Sequence, residues 1–118
     1  RVEHILQHGD AVPFPVFDRE AMFVASKGRS LAELLDTFAQ LRTESLNRLA
    51  ALGLTSADLT RAGRHPEFGR VTMGQHLSTW VAQDLGHISQ VVRVMARRYS
   101  AAVGPWQAYL SILRSRQD

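Results

Sequence analysis

The chain has 118 residues, 45% hydrophobic and 21% charged, which predicts one globular domain over residues 1–118 without the roughly 20 consecutive apolar residues of a membrane-spanning helix. The absence of cysteine excludes disulfides and thiolate metal sites and favours a cytoplasmic location. The net charge of +3 comes almost entirely from arginines, whose C-terminal cluster we expect to complement helix ends rather than to bind nucleic acid.

The N-terminal part of the sequence predicts short helical pieces joined by a loop. Residues 1–8 place apolar side chains on one side and precede a glycine, which indicates the closing turns of a helix. Two prolines within residues 11–17 exclude a helix there, and we expect the Phe14 and Phe17 rings of this loop to be buried. A short helical turn is predicted over residues 18–24.

A long helix is predicted after this region. Ser30 and Glu33 have the spacing of a capping box and precede an apolar run that ends before Gly53. Apolar residues that recur at helical spacing predict one core-facing side; they are Leu31, Leu34, Leu35, Phe38, Leu41, Leu46 and Leu49.

A second long helix follows a turn-rich connection. Residues 55–64 predict a short helix or turn, and residues 63–69 predict a loop. Thr72 and Gln75 repeat the capping-box spacing in front of a helix that we expect to run to about Arg98. Its apolar side alternates spacings of four and three and comprises Leu77, Val81, Leu85, Ile88, Val92, Met95 and Tyr99.

The C-terminal segment predicts one short helix after the break at Gly104 and Pro105. Its apolar residues are Trp106, Tyr109, Leu110, Ile112 and Leu113. No part of the sequence shows a strand pattern, so the elements together predict an all-α fold.

The second long helix also carries a polar line at spacings of four, three, four and three, formed by His76, Trp80, Gln83, His87 and Gln90. Residues at this spacing share one face of a helix. Polar side chains beside an apolar stripe require partners. The line therefore predicts either a polar cavity or a hydrogen-bonded contact between helices.

The same line contains candidate metal ligands. Two histidines four residues apart on a helix can bind one metal ion, and here the corresponding pair is Gln83 and His87. A glutamine oxygen is a weaker ligand than imidazole for zinc or nickel. His76 is a candidate compensating ligand.

Several runs of residues resemble one known family. They are Gly-Arg-His-Pro-Glu-Phe-Gly at 63–69, Thr-Trp-Val-Ala at 79–82, His87, Gln90, and Val-Gly-Pro-Trp at 103–106. In these residues the chain resembles the DinB/YfiT-like superfamily, whose members form four-helix bundles that hold a divalent metal on three histidines. The resemblance implies a four-helix bundle of this type that lacks its first helix in the sequence given.

The resemblance also implies where the metal ligands lie. His87 matches the last of the three family histidines, and Gln83 stands where the family pattern has its neighbour. The remaining histidine would lie upstream of Arg1.

Two functional hypotheses follow. The resemblance implies a metal-dependent transferase or hydrolase that uses zinc, nickel or manganese and a low-molecular-weight thiol, with Trp80 and Gln90 lining the cofactor site. The alternative is a metal-free helical module that binds a small ligand or dimerises. A homodimer is expected on physical grounds, because a bundle that lacks a helix leaves an apolar face for a partner to cover. The sequence does not decide whether the chain is an enzyme.

Overall fold

The computed structural model describes residues 1–114 and is mostly helical, with one small antiparallel sheet. Its helices and strands are α1 (Val2–His8), α2 (Ala21–Ser26), α3 (Leu31–Ala51), β1 (Ala62–His65), β2 (Gly69–Thr72) and α4 (Met73–Arg97). Short 3-10 helices span Asp58–Thr60, Gly104–Tyr109 and Ser111–Leu113. The described residues form two compact units, 1–76 and 77–114, so that α4 begins in the first and continues in the second.

The loop between α1 and α2 buries only one of the two phenylalanines that were predicted to be buried. Phe14 is buried, as predicted, and its N–H donates to the Arg64 carbonyl at 2.8 Å. The predicted burial of Phe17 is wrong, because this side chain is 62% exposed. The prolines keep the segment extended, and residues three positions apart in an extended chain point to opposite sides.

The starts of the helices agree closely with the capping patterns. In α3, Ser30 Oγ accepts the Glu33 N–H at 3.3 Å, while the Glu33 carboxylate accepts the Ser30 N–H at 2.7 Å. These two bonds satisfy backbone donors at the N-terminus and set the helix start. The helical turn predicted from residue 18 instead begins at Ala21, because the Asp18 carboxylate accepts the backbone N–H groups of Glu20 and Ala21 ahead of the helix.

The expectation that the chain contains no strands is wrong. β1 and β2 form an antiparallel hairpin in which Gly63 pairs with Val71 and His65 pairs with Gly69. The loop predicted over 63–69 is therefore reduced to the hairpin turn. The segment lacks an alternating apolar pattern, and its pairing depends on turn chemistry: Gly69 has a φ of 70°, and His65 hydrogen-bonds the turn backbone.

The core of the first unit is small. Its fully or almost fully buried apolar side chains are Ile5 from α1, Phe14 from the loop and Met73 from the first residue of α4. Gly63 of β1 lies against two of them, because a Cβ there would approach Phe14 Cζ to 2.6 Å and Ile5 Cγ1 to 2.8 Å. The hairpin thus closes over the α1 side chains only because this position has no side chain.

The second unit contains most of α4 and the turns that follow it. The predicted end of the long helix at about Arg98 agrees with the observed end at Arg97. The predicted terminal helix is present as 3-10 turns, in which the Trp106 and Tyr109 rings lie 6.3 Å apart. Within residues 1–114, none of the helices combines the length and the apolar character needed to cross a bilayer.

Candidate functional site

The orientation of the polar line is set by the beginning of α4. Thr72 Oγ1 accepts the Gln75 N–H at 3.1 Å, and the Gln75 side-chain oxygen accepts the Thr72 N–H at 2.8 Å. This reciprocal pair is the predicted capping box, and it places the first helical residue at Met73. From that first residue onward, residues at spacings of three and four lie on the same side of the helix.

Within the polar line, the side chains of His87 and Gln90 are joined by a hydrogen bond. His87 Nδ1 lies 3.1 Å from Gln90 Oε1, and both residues are exposed. Because an amide oxygen only accepts hydrogen bonds, the imidazole donates through Nδ1. In the neutral ring, Nε2 then carries the lone pair and is the atom available to a ligand. Gln90 therefore positions His87, in the way that a second hydrogen bond commonly orients a metal-binding histidine.

The other two residues of the line in the second unit differ in exposure. Gln83 is exposed one turn before His87, and Trp80 is half-buried. Gln83 offers an amide oxygen where the resemblance calls for a second imidazole. Across residues 1–114, no group of three or more histidine, cysteine, aspartate or glutamate side chains is arranged to hold a metal ion. The donor set in the described part of the chain therefore does not fit a three-histidine metal centre.

His76 belongs to the first unit. Partial burial lowers its pKa from the ordinary value of 6.5, and nearby positive charge, including Arg1 and His65, lowers it further. Both causes favour the neutral ring. The electrostatic surroundings of His76 therefore include the Arg1 and His65 side chains of the first unit.

A histidine–aromatic cluster that the sequence did not predict surrounds Phe14. The ring centroid of His4 lies 4.8 Å from that of His8 and 5.4 Å from that of Phe14, whose edge it meets. On the other side, His65 lies 6.4 Å from Phe14 and stacks on Phe68 at 4.5 Å. The four-residue spacing of His4 and His8 was the one sequence feature that could have indicated this cluster, because His65 comes close to Phe14 only through the formation of the hairpin.

Each end of this cluster is fixed by hydrogen bonds to the backbone. His4 Nε2 donates to the Val12 carbonyl at 2.9 Å. His65 Nδ1 accepts the N–H groups of Glu67 and Phe68 at 3.1 and 3.3 Å. His65 therefore has a structural role at the hairpin turn.

The apolar side of α4 is exposed in the second unit. Six side chains at spacings of four, three, four, three and four are 44–65% exposed, and we call them the α4 seam: Val81, Leu85, Ile88, Val92 and Met95 on the helix, and Tyr99 in the turn just after its end at Arg97. At 3.6 residues per turn, the middle of the seam lies on the side of the helix opposite His87 and Gln90. The two surfaces can therefore act independently.

The comparisons with known proteins support the resemblance. The family model described as the DinB superfamily matches residues 2–91, which is well over half of the chain. The search of curated proteins finds no match. The matched range includes the hairpin and the part of α4 that carries Gln83, His87 and Gln90.

Proposed function

The chain belongs to the DinB superfamily, and on that premise we propose that it works as a helical association module whose partner is a second copy of itself. The observation that carries this proposal is the exposed α4 seam. We retain the four-helix bundle as part of the proposal, with helices from the second copy covering the seam. The proposed homodimer is a cytoplasmic protein, a location with which the absence of cysteine is compatible.

The energetic basis of the proposal is the area of apolar surface left in water. Monomeric proteins rarely expose large contiguous apolar patches. Complete burial of a large apolar side chain stabilises by about 1.5–3 kcal/mol, and each copy offers six partly exposed side chains along the seam. This gain is opposed by the loss of translational and rotational freedom on association, about 4–15 kcal/mol. A dimer with a dissociation constant in the micromolar range is consistent with both terms.

The proposal includes no metal-dependent step. The described residues supply one imidazole at a family ligand position, His87, with the weaker ligand Gln83 beside it. Zinc, nickel or manganese binding and the use of a small thiol therefore remain implications of the resemblance.

A metal-dependent transferase or hydrolase is the competing candidate, and one observation favours it. Gln90 leaves Nε2 of His87 free and oriented, as a metal ligand requires. Elemental analysis of the purified protein separates the two candidates. Stoichiometric zinc, nickel or manganese that is lost in His87→Ala would support the enzyme, whereas a metal-free wild type that gains metal in Gln83→His would support the association module.

Sedimentation of wild type and Leu85→Glu tests the association module directly. Leu85 is 62% exposed in the single chain, so the glutamate is tolerated by the monomer but not within an apolar interface. We expect the wild type to dimerise in the micromolar range and Leu85→Glu to weaken dimerisation by more than tenfold, with unchanged helical circular dichroism. Gln83→Glu, which adds the same charge on the opposite face, is the matched control. A wild type that stays monomeric over this range would refute the proposal.

A further inference from the structure

The histidine–aromatic cluster of the first unit contains two imidazoles that lie close enough to share one ion. His4 and His8 are four residues apart in α1, so their side chains lie on the same side of the helix. Their ring centroids are 4.8 Å apart, and the ring planes are tilted by 57°. His8 is exposed and His4 is half-buried, so solvent reaches the pair.

We infer that His4 and His8 form a two-histidine site for a divalent transition-metal ion, which binds His4 through Nδ1. Imidazole nitrogen suits zinc, nickel and copper, whereas magnesium and calcium prefer oxygen ligands. The remaining coordination positions are open to water. The inference does not depend on the proposed function, because it uses residues of the first unit alone, whereas Gln83 and His87 lie in the second.

The first support is the separation of the two rings. An ion about 2.0–2.1 Å from an imidazole nitrogen lies about 3.2 Å from the ring centroid, because the nitrogen lone pair points directly away from the ring. When the angle between the two ligands at the ion is about 90–109°, the two centroids are about 4.5–5.2 Å apart. The observed 4.8 Å lies within this range. The backbone of α1 therefore need not move for one ion to bind both rings.

The second support is the hydrogen bond that orients His4. Its Nε2 donates to the Val12 carbonyl at 2.9 Å, so the lone pair of the neutral ring is on Nδ1. A metal-binding histidine commonly donates its other ring N–H to a backbone carbonyl in this way. The His4 ring also meets the edge of Phe14 at a centroid distance of 5.4 Å, which restricts its rotation. One nitrogen of His4 is thus engaged, and the other is available to an ion.

The third support is the attachment of α1 to the rest of the first unit. Ile5, which follows His4, is fully buried. Arg61 Nη2 donates to the Leu6 carbonyl at 2.7 Å and so ties the middle of the helix to a distant segment. The spacing of the two histidines is therefore set before an ion binds, and ligands that are already in position lose less conformational entropy on binding.

Calorimetric titration of the protein with zinc chloride tests the site. Two histidines hold an ion less firmly than the four ligands of a closed site, so treatment with a chelator first empties it. We expect the wild type to bind one zinc ion per chain with micromolar affinity, and the affinity to fall by about tenfold or more in His8→Gln. The exposure of His8 means that this change leaves the packing of α1 intact, and an unchanged circular dichroism spectrum checks this.

His87→Gln is the matched control, because it removes an exposed imidazole from α4 instead of α1. It should bind zinc as the wild type does. The inference would be overturned by a wild type that binds no zinc, by equal affinities of His8→Gln and wild type, or by loss of binding in His87→Gln.

Nitrogen-15 NMR of the histidine side chains tests which atom of His4 is the ligand. Zinc should shift the Nδ1 resonance of His4 and leave Nε2 protonated, since Nε2 donates to Val12. In His8→Gln, the same zinc concentration should leave the Nδ1 resonance nearly unchanged. Binding of zinc through Nε2 would show that the hydrogen bond to Val12 does not select the ligand atom, and would overturn this part of the inference.

Discussion

Gly63 is the point at which the hairpin touches the core of the first unit. A Cβ at this position would lie 2.6 Å from Phe14 Cζ and 2.8 Å from Ile5 Cγ1, and both of these side chains are buried. We therefore expect Gly63→Ala to lower the free energy of unfolding by about 1–3 kcal/mol, through displacement of packed side chains. Urea denaturation followed by circular dichroism measures this change.

Gly86→Ala is the matched control for Gly63→Ala. A Cβ at Gly86 would meet no atom within 4 Å, and the residue lies within α4. The same substitution should there raise stability by about 0.5–1 kcal/mol, because alanine loses less backbone entropy in a helix than glycine does. If both variants were stabilised equally, the close packing described for β1 would be wrong.

The lowered pKa of His76 makes stability depend on pH in a defined direction. Burial, followed by nearby positive charge that includes Arg1 and His65, holds the folded pKa below 6.5. As pH falls below about 6.5, the unfolded chain takes up the His76 proton first, so the free energy of unfolding decreases. We expect lower stability at pH 5.5 than at pH 7.5, and a smaller difference in His76→Gln. His87→Gln alters an exposed histidine and should keep the wild-type difference; equal slopes in His76→Gln and wild type would exclude His76 as the cause.

The long helices could be predicted because the residues that define them lie close together in the sequence. Ser30 and Glu33, like Thr72 and Gln75, satisfy backbone donors within one turn. The periodicity of each apolar side adds a signal over many residues. The starts of both helices therefore agree with the capping patterns.

The hairpin could not be predicted in this way, because its signal is not in side-chain periodicity. Gly63 and Arg64 in β1 show no apolar alternation, and the turn depends on the positive φ of Gly69 and on two hydrogen bonds to His65. Hydrogen bonds of this kind between a side chain and the turn backbone leave no distinctive pattern in the sequence. The burial of Phe14 was predictable from its apolar character, but the exposure of Phe17 depends on the direction of an extended chain.

The candidate site contains one contact that could be predicted from the sequence and one cluster that could not. The contact between His87 and Gln90 joins residues three apart on one helix, so their shared face followed from spacing. The cluster at Phe14 joins His4 to His65 through the tertiary structure of the first unit. Contacts between distant segments depend on the packing of the whole unit, and no local pattern specifies them.

For the whole molecule, the proposed dimer links folding to association. In the proposed dimer, the seam that is exposed in the single chain is buried between two chains, and a partner that binds the folded state alone raises the melting temperature by mass action. We expect the wild-type melting temperature to rise by a few degrees for each tenfold increase in protein concentration. Leu85→Glu should melt at one temperature throughout, and Gln83→Glu should follow the wild type. A wild-type melting temperature that is independent of concentration would show that the seam contributes nothing to stability through a second copy.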